Sequence, residues 1–137
     1  MMISTKGRYA LRIIIDLAQH ADEGFISLKS IAERQEVSMK YLEMIVAIMN
    51  KAGILHSRRG KDGGYKLVKP ASEYTVGEIM DLTEGHLSPV ACLGTGDNHC
   101  ERAGFCLTLP IWQHLDTMID GYLSSITIQD ILDGNLQ

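Results

Sequence analysis

Between residues 5 and 20 apolar side chains recur at Leu11, Ile14, Ile15 and Ala18, the spacing of one helical face. Ser4 or Thr5 caps the start of that helix, and the run ADEG breaks it. Ser27 suits the N-cap of a short second helix carrying Leu28, Ile31 and Ala32, which ends before EVS. Ser38 caps a third helix over 39–51 with Leu42, Ile45, Val46 and Met49 inside, and Gly53 suits the left-handed position after it. The period then changes. ILHSR and YKLVK are extended segments joined by RGKDGG, with Leu55, Tyr65 and Leu67 facing inward and the glycines at a hairpin tip.

After Pro70, TVGEIMDLTEG predicts a short helix ended by Gly85. Residues 86–106 are rich in glycine and polar side chains and predict a loop. From about 107 to 123 the helical period returns, with Ile111, Leu115, Met118, Ile119 and Tyr122 on one face and Pro110 tolerable only near the first turn. Thr127 caps a last short helix containing Ile128, Ile131 and Leu132. There is no internal repeat. The order of three helices and a hairpin predicts a mainly α protein with a small β-hairpin, a winged helix-turn-helix followed by a long C-terminal helix. It divides into residues 1–85, a cysteine-containing loop over 86–106, and helices over 107–137.

Composition supports one ordinary folded unit: 45% of the 137 residues are hydrophobic and 22% charged. No apolar run approaches the roughly 18 residues of a membrane span. Arg12 and Asp16 interrupt the apolar N-terminal stretch and no small-residue cleavage site follows, so it reads as a cytoplasmic N-terminus. The net charge of −4 conceals an asymmetry. Residues 1–70 hold 12 Lys and Arg against 7 acids (+5), and residues 71–137 hold Arg102 against 10 acids (−9). A basic half of this kind suits a polyanion, whereas the plain alternative is an unevenly charged solvated face.

In a helix-turn-helix the second helix enters the major groove with its N-terminal residues against base edges. Here those residues are Ser38, Lys40, Tyr41, Glu43 and Met44. Ser38 and Tyr41 can bond phosphate oxygens, and Lys40 adds charge. Glu43 either accepts from a cytosine amino group or is a surface residue paired with Lys40 or Lys51. Arg58, Arg59, Gly60 and Lys61 cluster at the hairpin tip, where an arginine can enter a narrow minor groove. Such proteins use two copies on a palindromic site, and the long helix supplies a dimer seam with Trp112 as its apolar anchor.

The only three cysteines, Cys92, Cys100 and Cys106, fall within 15 residues. An odd number in a chain without an export signal argues against a disulfide framework. Four readings stand: an iron–sulfur cluster on three thiolates, structural zinc with His99 added, a redox pair, or inert thiols. Zinc fits less well, since its paired ligands usually stand two to four residues apart and His99 directly precedes Cys100. The histidines are scattered, and no nucleophile–base pair or phosphate-binding glycine loop stands out, so catalysis is not expected.

STKGRYALR, SLKSIAERQEVSMKYLE, RRGKDGGYKL, VGEIMDLTEG and the late cysteine loop resemble the IscR-type family of bacterial winged-helix repressors, over residues 2 to about 133. The resemblance implies a cytoplasmic homodimer joined through the long helix, presenting Tyr41, Glu43 and Arg59 to operator DNA. It implies a [2Fe–2S] or [4Fe–4S] cluster on Cys92, Cys100 and Cys106 that reports iron, redox or nitric oxide status. Two departures stand out. The histidine of IscR three residues after the third cysteine is Leu109 here, and the carboxylate that NsrR-like members supply from the partner's first helix is Arg8. His99, His114, Glu101, Asp97 or an exogenous ligand are the alternatives for the fourth position. The SPV of Ser88, Pro89 and Val90 looks like the cluster-free CymR branch, which implies regulation through thiol chemistry or a protein partner.

Overall fold

The computed structural model describes residues 2–93 and 100–136. Ser4 accepts from the Gly7 N–H and opens α1 (Thr5–Gln19). Ser27 accepts from the Ser30 N–H at the start of α2 (Leu28–Gln35), and Ser38 from the Tyr41 N–H at the start of α3 (Met39–Lys51). In each case a short polar side chain satisfies an N–H that the first helical turn leaves unpaired. Between α2 and α3, Glu36 adopts the left-handed conformation (φ 54°). Its backbone N–H donates to the Ala32 carbonyl, which makes the tight turn of the motif.

The wing follows. Strands β1 (Leu55–Arg58) and β2 (Gly64–Leu67) pair antiparallel with Leu55 opposite Leu67 and Ser57 opposite Tyr65. Ile26, just before α2, bridges Tyr65 through two N–H···O bonds of 2.8 Å. This approach explains the second glycine of the wing's pair: a Cβ on Gly64 would lie 2.1 Å from the Ile26 carbonyl oxygen, while one on Gly63 would lie 2.2 Å from the Arg58 carbonyl oxygen. Buried Tyr74 anchors the wing's root, donating its hydroxyl to the Ile54 carbonyl and accepting from the Lys69 N–H, both at 3.0 Å.

Capping boxes open α4 (Val76–Glu84) at Thr75/Glu78 and α6 (Ile128–Asp133) at Thr127/Asp130. Between them runs α5 (Leu109–Ser125), two residues later at its start than the period predicts, with Pro110 in its first turn. The fold is thus the expected winged helix-turn-helix, mainly α with one hairpin. Among the described residues no helix is long and apolar enough to cross a membrane.

The core gathers Ala10, Ile13, Ile14 and Leu17 of α1, Ile31, the four predicted residues of α3, Leu55, Tyr74, Ile79, Met80 and Ile128. Two expected faces are displaced. On α1 the fully buried row is Ala10, Ile13, Ile14 and Leu17, while Leu11, Ile15 and Ala18 are only partly covered. The cause is Asp16, which is buried at 1% exposure and turned toward α2. On α5 no residue is buried. Trp112, Asp116, Ile119 and Leu123 form its half-covered row, whereas Ile111, Leu115, Met118 and Tyr122 form an open one. Trp112 and Ile119 therefore do not share the exposed apolar row.

Candidate nucleic-acid interface and cysteine loop

The recognition helix is held from behind by α1. Asp16 receives a two-pronged hydrogen bond from Arg34 (Nη2–Oδ1 2.6 Å, Nε–Oδ2 3.0 Å) and a third bond from Gln35 Nε2 at 2.9 Å. Burial pushes the Asp16 carboxyl up, but the hydrogen bonds from Arg34 and Gln35 and the guanidinium charge outweigh it, leaving the pKa below the ordinary carboxylate value. Arg12 then grips the turn itself, donating to the side-chain and backbone oxygens of Gln35. Its guanidinium lies 4.5 Å over the Tyr9 ring, and Tyr9 meets Tyr41 edge-to-face at 5.8 Å. A chain of contacts from α1 thus sets Tyr41 on α3. Arg12 and Tyr9 carried no sign of this in the sequence beyond their place in GRYALR, because their partners lie on other elements.

Ser38, Lys40, Glu43 and Met44 are exposed at the start of α3, and Tyr41 is half-buried against Tyr9. Glu43 pairs with neither Lys40 nor Lys51, and no described side chain satisfies its carboxylate. At the wing tip the three cations differ. Arg58 stacks 4.5 Å over Phe25 and donates to the Asp62 carbonyl at 2.8 Å, so it braces the turn. Arg59 and Lys61 are exposed, with no intramolecular side-chain partner among the described residues, and Gly60 turns the chain at φ 103°. Lys40 at the start of α3 and Arg59 and Lys61 at the wing tip are thus exposed cations without side-chain partners among the described residues, of the kind that meets a polyanion.

The three cysteines are free thiols. Cys92 is the middle residue of a short 3-10 turn (Ala91–Leu93) and is half-buried, Cys100 is exposed, and Cys106 is half-buried just before α5. The Cys106 thiol lies 3.4 Å from the Thr108 hydroxyl. That hydrogen bond, then the backbone N–H groups of Thr108 and Leu109 and the charge of Arg102, hold it below the ordinary thiol range. No group of three or more His, Cys, Asp and Glu side chains is gathered closely enough for a metal ion among the described residues. As a donor set, three thiols with one biased toward thiolate fit an iron–sulfur cluster. Leu109 opens α5 without a donor atom, and Arg8 bonds Thr5 within its own helix. His114 and Glu101 are exposed; His99 and Asp97 lie outside the described residues.

The loop's first residues are tied on two sides. Glu84, at the end of α4, accepts from the Ser4 and Gly7 N–H groups and the Ser4 hydroxyl, which places a carboxylate on the N-terminus of α1. A Cβ on Gly7 would stand 2.3 Å from that carboxylate oxygen, which accounts for the glycine in KGRYA. Two residues on, His86 Nε2 meets both Asp116 oxygens of α5, at 2.9 and 3.2 Å.

Residues 3–134 match the Rrf2 family, described as an iron-dependent transcriptional regulator. The chain belongs to the Rrf2 family. An HTH-type transcriptional regulator of Neisseria meningitidis serogroup A is 38% identical over 133 residues, 97% of this chain and 88% of the relative. IscR of Escherichia coli is 35% identical over 97% of this chain and 81% of its own length. Among solved structures, IscR of T. potens superposes with a TM-score of 0.78 at 38% identity, covering 98% of this chain and 88% of that one. CymR, the global cysteine regulator of B. subtilis, gives 0.79 at 38%, covering 96% and 95%. This Rrf2 member is accordingly a DNA-binding helix-turn-helix transcriptional regulator of the IscR type, not an enzyme.

Proposed function

We propose that the protein acts as a cytoplasmic homodimer that holds an operator through α3 and the wing tip, and that an iron–sulfur cluster on Cys92, Cys100 and Cys106 modulates that grip. Lys40, Tyr41, Glu43, Arg59 and Lys61 would touch DNA directly, with Ser38 and Met44 at the edge of the contact and Arg58 and Gly60 shaping the wing. The cluster, when bound, would supply a centre responsive to iron supply, oxidants or nitric oxide.

The observation that carries the coupling is the double anchoring of the loop's start. Glu84 ties it to the N-terminus of α1, whose other contacts set Tyr41 and the α2–α3 turn, and His86 ties it to α5. Tension on the loop from shared ligation of Cys92 and Cys106 would therefore reach both the recognition helix of one protomer and the helix that joins two. Two protomers whose α3 helices shift together change their fit to half-sites about 34 Å apart, which is a two-state coupling between sites.

A second reading is favoured by one finding, the equal likeness to CymR. Ser88 in the SPV turn bonds the Val90 carbonyl at 2.7 Å. In that reading the thiols act without a cluster, through oxidation, a protein partner or zinc.

Anaerobic purification separates the two. A brown protein containing iron and sulfide, lost in the Cys92→Ala variant, supports the cluster; a colourless one without iron removes it. The holo and apo forms should then differ in operator affinity, and equal affinity across operators would sink the coupling. For the interface, Arg59→Ala should weaken operator binding and reduce the slope of log K against log salt by about 0.9, as one phosphate contact releases its counterion. Glu43→Ala should broaden sequence preference more than it lowers affinity, read by competition among operator variants.

A further inference from the structure

We propose that the cleft at the root of the wing, away from the tip and the cysteine loop, binds a small organic anion: a carboxylate carrying an apolar body. The cleft has a volume of about 500 Å³ and lies between β2 and its exit, the end of α1, and α6. Sites for small molecules usually span roughly 300–1,000 Å³ with an apolar lining and a few convergent polar groups. Here Ala18, Leu67 and Leu132 supply the apolar floor, and His56, Lys66 and Lys69 the polar rim.

The charge of the rim is the deciding feature. The chain has an excess of acids, with a net charge of −4, yet no carboxylate lines this cleft. On α6, Asp133 stands outside the lining and accepts from the amide of Gln129, which lines it, at 2.9 Å. Lys66 and Lys69 are held by aromatic faces, their ammonium groups 4.8 Å over Phe25 and 4.9 Å over Tyr74. Among the described residues neither has an ion-pair partner. Two lysines without ion-pair partners and a histidine, lining the cleft beside apolar side chains, match a carboxylate head with a hydrocarbon tail, whereas a bare inorganic anion would leave the apolar lining unfilled.

The position gives the site a consequence that rests on the operator-binding proposal above. Lys69 donates its N–H to Tyr74, whose hydroxyl also holds the Ile54 carbonyl, so the rim is continuous with the bonds that fix the wing's root. An occupant touching both β2 and α6 would bias the setting of the wing and with it the grip on DNA.

The test uses the full chain without DNA, so that its outcome does not depend on operator binding. Isovalerate, benzoate and inorganic phosphate are titrated while the methyl resonances of Ala18, Ala21 and Leu132 are followed by NMR. Both carboxylates should shift these methyls saturably below about ten millimolar, and phosphate should not. The variant Lys66→Gln/Lys69→Gln, which removes the two charges but keeps much of each side-chain stem beside Phe25 and Tyr74, should weaken carboxylate binding roughly tenfold or more. Absence of saturable shifts, equal response to phosphate, or unchanged affinity in the double variant would each overturn the proposal. So would a loss of operator affinity in that variant with no carboxylate binding to the parent, since the lysines would then serve DNA.

Discussion

Arg34→Ala should destabilise the folded chain by about 3 kcal/mol, the low end of what is lost when one partner of a buried ion pair is removed. Asp16 is the reason. Its carboxylate is 1% exposed and depends on Arg34 for two of its three side-chain hydrogen bonds. The low end applies because the Arg34 side chain keeps 36% exposure, so its charge is partly screened. Gln35 at 2.9 Å and the His20 ring nitrogen at 3.7 Å do not replace the fork, and the variant is left with an under-compensated buried charge. Urea denaturation at neutral pH checks this.

The same pair carries a pH signature. In the parent the Asp16 carboxyl is held below its ordinary value. Its contribution to stability is therefore complete above about pH 4, the unfolded carboxylate range, and is lost as pH falls through the lower folded value. Without Arg34 most of that lowering is lost, and only Gln35 and the nearby His20 still favour the charged carboxylate, so the variant loses less stability than the parent as the carboxyl takes up its proton. The stability gap between parent and variant should be widest at neutral pH and close in acid. A gap that fails to narrow as pH falls below about 4 would mean that Asp16 is not the group that suffers.

That pair also marks where the sequence stopped being legible. Elements bounded by local chemistry could be read directly: Ser27, Ser38 and Thr127 cap their own helices, and Gly53 and Gly85 end theirs with positive φ. Such bonds span three or four residues, and their signal is in the residues themselves. The buried face of α1 was not legible, because the partner that makes Asp16 an interior residue lies 18 positions away. For the same reason Glu84 looked like an ordinary helix end until its bonds to Ser4 and Gly7, 80 and 77 positions distant, brought it onto α1. Arg58 was legible as a wing cation but not as the residue stacked on Phe25. The cysteines stood out by proximity alone, while whether they act as a donor set, and which atoms would complete it, depends on geometry that spacing does not encode.

The second large effect concerns α5. Leu115→Asp/Met118→Asp should leave the fold intact and abolish dimerisation, with operator affinity falling by about 10²- to 10⁴-fold as two tethered half-site contacts become independent events. The fold is spared because both residues lie on the open row, at 38% and 57% exposure, and no α5 residue belongs to the buried core. The row of Ile111, Leu115, Met118 and Tyr122 repeats at i, i+4, i+7 and i+11, a continuous apolar stripe about 16 Å long at 1.5 Å per residue. A stripe of that length facing water in an otherwise well-packed chain suits the joint of the homodimer proposed above. Across a two-fold axis each substitution appears twice, so four carboxylates would enter one apolar seam, and none has a cation on the facing copy of the same row. Light scattering should give the monomer mass, with the circular dichroism and thermal midpoint of the parent chain retained apart from what dimerisation itself adds. Operator titrations should lose cooperativity while half-site binding persists, because Lys40, Tyr41 and Arg59 are untouched. A variant that remained dimeric would remove α5 as the joint, and with it the route by which the cysteine loop, tied to Asp116 through His86, reaches both recognition helices at once.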